Sequence, residues 1–309
     1  MTTPPSIQIT APGDLVAVVP CVLKFHPSQS LVLVSFAAHS SRIGPVLRAD
    51  LPAVGDVEAG AAQMLDMLPA QYRDHAVLLA ISTESREDAC RDASLVLTAA
   101  GVRVTGAIYA TGTRPGDQWR CLEPGCSDAG TVPQPHTEIA AHLAWTGQVT
   151  LPNREAIEQT LTPLDDAATL ARRSRLLTEA ATASAEPRPS LAAAVDDYLT
   201  RHQLDDDLVV ALVAALGQQR AVLKHLREHT STMRVVLEAL VRETPAPWSA
   251  APAAYLALAA LLHGDGAHAA AAAERATIAD PVARLPQLIA EVVASTPSPD
   301  TVRGLLSEF

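Results

Sequence analysis

Four clusters of residues in this chain are of types, and at spacings, that could do chemistry. The first is Phe25-His26-Pro27-Ser28-Gln29-Ser30, followed on the next extended segment by Arg48 and Asp50. An imidazole, a hydroxyl, a guanidinium and a carboxylate at one end of a sheet would suit a small polar ligand, because open α/β sheets bind ligands at strand ends. The same residues could serve structure alone: Ser30 can bond backbone within its turn, and Arg48 can pair with Asp50 or Asp14. No nucleophile–base pair accompanies them. Nor does any G-x-G-x-x-G or G-x-x-x-x-G-K-[ST] loop, which speaks against dinucleotide and P-loop chemistry.

Cys121 and Cys126, with His136 and His142 beyond, follow the order of a Cys2His2 zinc site and are the candidate metal ligands. The gap between the two pairs is shorter than in a zinc finger. Trp119 and Pro124 suggest instead a packed loop with two thiols that are structural, free or transiently oxidised. His225-Leu226-Arg227-Glu228-His229 spells H-x-x-E-H, the inverted metalloprotease signature. That helix ends where Thr230-Ser231 opens the next, and no segment singles out a third ligand. A solvated helix end is the simpler reading, and a zinc-dependent hydrolase the remote one. Asp205-Asp206-Asp207, heading a long apolar helix, reads as a cap and dipole partner. Zinc at the cysteines aside, no cofactor is expected.

The elements that must position these residues begin with Asp14 to Phe36. This stretch reads as an apolar helix (15–23), a turn (26–30) and a strand (31–36) whose run Leu31-Val32-Leu33-Val34 suits burial on both faces. Asp14 is placed to N-cap the helix and Pro20 to kink or shorten it. Further strands are predicted at 7–10, 43–51, 76–82 and 104–109. Helices are predicted at 57–68 and 84–100, the second closed by Gly101. The alternation predicts an α/β domain over 1–150 with a mixed or largely parallel sheet, and 119–130 as a turn-rich insertion.

Beyond Thr137 the pattern is helical: 138–146, 154–161, 165–183, 190–201, 206–227, 231–242, 251–263, 267–278, 282–294 and 299–307. Asn153, Ser190, Asp205, Ser231 and Ser298 are the N-caps, and 184–189 a linker. Residues 151–309 are therefore expected to form an all-α helical-hairpin domain. Its segment 250–281 resembles one tetratricopeptide repeat, a motif of ~34 residues. Leu256, Ala257, Ala260, Ala269, Ala273, Ala276 and Pro281 fall at small or apolar positions of that pattern. Alanine fills its aromatic positions, so a generic helical hairpin fits equally well.

Several of these pieces together resemble the family called domain of unknown function 4192, of actinobacteria and their phages. They are Asp14-Leu15 with Pro20, Phe25-His26-Pro27, Ser30-Leu31-Val32, Arg48-Ala49-Asp50-Leu51-Pro52, Trp119 with Cys121 and Cys126, Gly147 followed by Pro152-Asn153-Arg154-Glu155, and 259–281 with its Gly264-Asp265-Gly266 turn. The motif at 152–155 adds Arg154 to the ligand-binding candidates. Lys24 stands where the family usually has Gly, and Ser127 where it often has another Cys. The resemblance implies an α/β front half and a helical back half, and no activity.

Composition narrows function further. A net charge of −11 gains nothing from counterion release on a phosphate backbone, so direct nucleic-acid binding is not expected. The start MTTPPSIQIT has no signal-peptide character, the apolar runs are too short to span a bilayer, and four cysteines make no disulfide scaffold, so the expected site is the cytoplasm. With no coherent catalytic set, the leading expectation is a non-enzymatic adaptor whose helical domain binds a protein partner or a second copy of itself. Trp248, Tyr255, Leu258 and Leu262 are the candidate anchors. The alternative is a small-ligand binder or enzyme using His26, Ser30, Arg48, Asp50 and Arg154.

Overall fold

Ser30–Phe36 forms β1, and all seven of its residues are buried. Side chains on a strand alternate between faces, so this run must feed two separate cores. Leu31 and Leu33 enter one with Leu47, Ala49, Leu78, Ala80, Ala107 and Tyr109. Val32 and Val34 enter the other with Leu79, Ile81, Ile108 and Ala110. Helices α2 (Val57–Met67) and α3 (Glu87–Ala99) cover the first core, and α1 (Pro12–Leu23) covers the second.

The computed structural model describes residues 9, 11–37, 42–51, 57–135, 149–182 and 190–308. The chain divides into two compact units, Met1–Arg154 and Glu155–Phe309. In the first unit the six-stranded sheet has the order β2 (Ile43–Asp50), β1, β3 (Ala76–Ile81), β4 (Val104–Ala110), β5 (Gln118–Cys121), β6 (Ala129–Thr131). The sheet is mixed: among the described strands only β3 and β4 pair in parallel, and the other four pairings are antiparallel. Parallel neighbours need a long crossover, and α3 supplies it.

Several local expectations are corrected. Asp14 sits at the third residue of α1 rather than at its cap: Ala11 is the N-cap, and Asp14 Oδ2 accepts the Ala11 N–H at 3.0 Å. Pro20 lies inside an α1 that runs on to Leu23. Residues 119–130 are no insertion, because they pair as the β5–β6 hairpin on the edge of the sheet. The Trp119 indole lies so close to Gly13 of α1 that a Cβ there would meet Nε1 at 2.5 Å. The strand expected at 7–10 and the helix at 138–146 fall outside the described residues, apart from Ile9.

The second unit is all helical: α4 (Arg154–Thr160, which begins one residue earlier), α5 (Ala167–Thr182), α6 (Leu191–Arg201), α7 (Asp206–Leu216), α8 (Gln219–Glu228), α9 (Thr230–Glu243), α10 (Ala250–Leu262), α11 (Gly266–Ala279), α12 (Arg284–Ala294) and α13 (Pro299–Leu306). The single helix expected over 206–227 is two, because Gly217 caps α7 and Gln218 leaves helical dihedrals at φ −86 and ψ 70. Ser190, Asp205 and Ser298 do cap their helices, each accepting a backbone N–H three residues on. Ser231 lies inside α9, for which His229 is the N-cap position. Helix α10 is buried at every residue from Pro252 to Leu262. An all-round apolar helix belongs in the middle, and α10 packs on α7, α9, α11, α12 and α13.

Lys24 ends α1 at φ 65 and ψ 12, the left-handed region. That conformation costs an L-residue with a Cβ roughly 1–2 kcal/mol, which explains why glycine suits this position in the family it resembles. Lys24→Gly is expected to stabilise the first unit by about 1 kcal/mol, read as a higher denaturant midpoint. An unchanged or lower midpoint would show that contacts of the lysine side chain outweigh the strain.

Candidate functional site

The strand pairing decides which candidate residues meet. Ser30 stands opposite Asp50 on β2 and Ile81 on β3, and Ile81 stands opposite Ala110 on β4. The start of β1 thus lies at the carboxyl ends of β3 and β4, the side on which α/β sheets place ligands. The segment before it is tied down by backbone: His26 N–H donates to Leu151 O at 3.0 Å, and Leu151 N–H to Lys24 O at 2.8 Å.

Three of the candidates satisfy one another. Arg48 Nε donates to Ser30 Oγ at 2.9 Å, and its guanidinium meets Asp50 Oδ1 at 2.6 Å. Ser30 Oγ is buried and gives its own proton to Ser28 O at 2.7 Å. A hydroxyl committed to a carbonyl, with no base in reach, is not an activated nucleophile. Asp50 is well exposed, so its pairing with Arg48 within β2 is screened, and the Arg48–Ser30 bond is what joins β2 to β1.

His26 turns elsewhere. Its Nδ1 lies 2.9 Å from Thr113 Oγ1, in the loop after β4. Burial, with the Arg114 charge, holds its pKa below the usual imidazole value against the pull of Asp117. The loop is a Pro-Gly turn: Asp117 N–H donates to Arg114 O, Gly116 has φ 94, and Asp117 Oδ2 takes the Arg114 N–H at 2.7 Å. Sequence reading missed Thr113, Arg114 and Asp117, although Arg114-Pro115-Gly116-Asp117 carries the signature of a type II turn. Nearby, Tyr109 Oη donates to Ser82 O at 2.9 Å, and Arg120 pairs with Glu87 at the start of α3. Arg154 opens α4 and is partly buried.

Among the described residues, no group of three His, Cys, Asp or Glu side chains is placed to hold a metal ion. Cys121 and Cys126 are neighbours on the β5–β6 hairpin, and His136 and His142 fall outside the described residues. His225 on α8 and His229, one residue past its end at φ −136 and ψ 45, bring their ring centroids to 4.6 Å without sharing a helical face. Two shallow hollows of about 460 and 370 Å³ open in the helical unit, at Gly217–Ala221 and between α6 and α7.

The proposed anchors of the helical unit separate. Tyr255, Leu258 and Leu262 are 1%, 5% and 4% exposed, so they build the α10 core instead of the surface; Trp248 is half-buried in the turn before α10. Two arginine centres went unread. Arg173 on α5, only 5% exposed, reaches Asp206 Oδ1 (3.0 Å), Leu204 O (2.6 Å), Glu243 O (2.8 Å) and Glu243 Oε2 (3.0 Å). Arg234 on α9 joins Glu238 (2.9 Å), Asp265 (3.0 Å) and His268 Nδ1 (3.2 Å). A guanidinium only donates, so His268 Nδ1 accepts and the ring proton sits on Nε2, facing Glu238 Oε1 at 3.5 Å.

A mixed six-stranded sheet with helices on both faces, followed by packed helix pairs, defines the class of chain. Its family is that of the Domain of unknown function (DUF4192), whose model matches residues 12–300, and the chain belongs to it. No curated protein and no solved structure matches the chain.

Two outcomes follow from the arginine centres. Arg173→Met strips partners from Asp206 and Glu243 and is expected to cost the helical unit 3–5 kcal/mol, seen in chemical denaturation. Arg172→Met, removing an exposed guanidinium on the same carboxylate, should shift the midpoint far less. Equal shifts would mean that burial of Arg173 is not what matters.

The His268 pKa is lowered, first by burial and then by the Arg234 charge, against Asp265 and Glu238. Its unfolded value is about 6.5, so the unfolded chain takes up the proton more readily. Stability is complete above about pH 6.5 and is lost as pH falls through the folded value, at no more than about 1.4 kcal/mol per pH unit. His268→Gln should flatten that part of the stability–pH curve; an unchanged slope between pH 7 and 5 would count against it.

Proposed function

We propose that this protein is a cytoplasmic, non-enzymatic binding module whose helical unit engages another protein chain or a second copy of itself. The observation that carries the reading is the exposure of three aliphatic side chains within one helix–turn–helix, Ile278 at the end of α11, Val282 in the turn and Leu288 on α12, at 63%, 87% and 51%. Single exposed aliphatics are ordinary, but three within so short a stretch, flanked in sequence by the exposed Glu274, Arg284 and Glu291, have the make-up of an apolar centre with a polar rim. Trp248 remains an anchor candidate because part of its indole is accessible. No helix among the described residues is long and apolar enough to cross a membrane, and the net charge of −11 favours a protein partner over nucleic acid.

The rival, a small-ligand binder or enzyme at the carboxyl end of β3 and β4, has less support. Ser30, Arg48 and Asp50 are spent on one another, and His26 on Thr113.

Val282→Asp and Leu288→Asp, made together on solvent-facing positions, should leave the melting temperature unchanged. Enrichment of partners captured by the full-length protein, or the self-association constant by sedimentation, should fall by about tenfold or more, since two buried charges cost well over 1.4 kcal/mol. Capture and self-association identical to the parent would sink the proposal.

A further inference from the structure

The β5–β6 hairpin ends in a second Pro-Gly turn. Cys126 N–H donates to Glu123 O at 3.0 Å, Gly125 has φ 79, and Pro124 precedes it, which is the arrangement of a type II turn. Below the turn, Cys121 N–H donates to Asp128 O at 2.8 Å, so the chain doubles back with the two cysteines on facing arms. The pairing of Arg120 with Ala129 continues into this bond, so Cys121 and Cys126 face each other diagonally across one tight turn, and both are half-buried at the surface of the hairpin.

The other two cysteines are placed quite differently. Cys90 is buried in the α3 core, its Sγ 3.7 Å from Leu78 O, and burial pushes its pKa up to about 12. Cys21 lies on α1 with its Sγ 4.0 Å from Ala17 O, its own helix backbone.

We infer that Cys121 and Cys126 are a reversible dithiol switch, closed to an intrachain disulfide by exchange with a low-molecular-weight disulfide. One thiolate attacks a sulfur of the small disulfide; the small S–S bond breaks, a mixed disulfide forms, and one small thiol leaves. The second thiolate attacks the protein sulfur of that mixed disulfide, expelling the second small thiol. The protein pair is oxidised by two electrons, the small disulfide is reduced to two thiols, and the two protein protons go to the leaving thiolates. The geometry favours the second step, because the tight turn holds the resolving cysteine on the facing arm of the same hairpin. Closure would fix the hairpin that carries Trp119, whose indole packs on Gly13 of α1 and donates to Thr131 O at 3.2 Å.

Burial, the Cys126 thiol and the Glu123 charge raise the Cys121 pKa, so exchange should accelerate as pH rises. Full-length protein is equilibrated at pH 8 with oxidised and reduced glutathione in varying ratio, quenched with acid, alkylated and mapped by mass spectrometry. The expected result is that two of the four thiols disappear together, with a Cys121–Cys126 cross-linked peptide, no glutathione retained and Cys21 and Cys90 still alkylated. Reduced glutathione in excess should restore all four. Cys126→Ser should stop at a glutathione adduct on Cys121 that persists at least about tenfold longer than any adduct on the parent. Stable glutathione on either cysteine of the parent would overturn the inference. So would cross-linked dimers through these residues, or two thiols that stay reduced at every ratio. The parent readout needs no variant, so a misfolded Cys126→Ser would not rescue the idea.

Discussion

The first unit depends on β1 being covered on both faces. Seven buried residues in succession leave no side of the strand that water can reach, so helices must sit above and below it and strands on either edge. The period of two along the strand sorts its leucines to α2 and α3 and its valines to α1. A shift of one residue would exchange the two sets and misfit both cores, which is how a strand with no polar face still holds its register. Ser30, the first residue of that strand, inherits its burial and therefore must find partners. Ser28 O and Arg48 provide them.

How far this was legible in the sequence varies with range. The double coverage of β1 follows from an unbroken apolar run, and the contact of Arg48 with Asp50 from two residues on one face of a strand. The proportion of parallel pairing was less legible. Helices between strands suggest crossovers, yet β1 and β2 join as antiparallel neighbours, and β5 and β6, Gln118–Cys121 and Ala129–Thr131, are too short and polar to announce a strand. Apolar periodicity runs straight through Gly217, so the break between α7 and α8 depended on a single residue. The partner of His26 lies 87 residues away, and nothing local to either residue encodes that meeting. Arg173, beside Arg172 on a polar-looking helix, has the local pattern of a solvated side chain. Only tertiary packing distinguishes the two.

The helical unit rests on a different balance. Helix α10 and the alanines of α11 supply close apolar contact, which is non-directional and would tolerate several arrangements of neighbouring helices. Arg173 and Arg234 are directional. Each ties its helix to residues well separated in sequence, and each sits where a misplaced helix would leave a charge buried without its counter-charge. Apolar packing makes the unit dense, and these two guanidinium centres select one packing among the alternatives.

Arg173 also imposes an order in time. Its furthest partner, Glu243, follows 70 residues later in the chain. A ribosome adding roughly 5–20 residues per second therefore exposes α5 several seconds before the second of the two carboxylates that neutralise Arg173. Asp206 arrives sooner, with the first turn of α7. The full set of partners around the guanidinium is complete only once α9 has been made. Burying Arg173 on a half-finished chain is opposed by whatever part of that set is still missing.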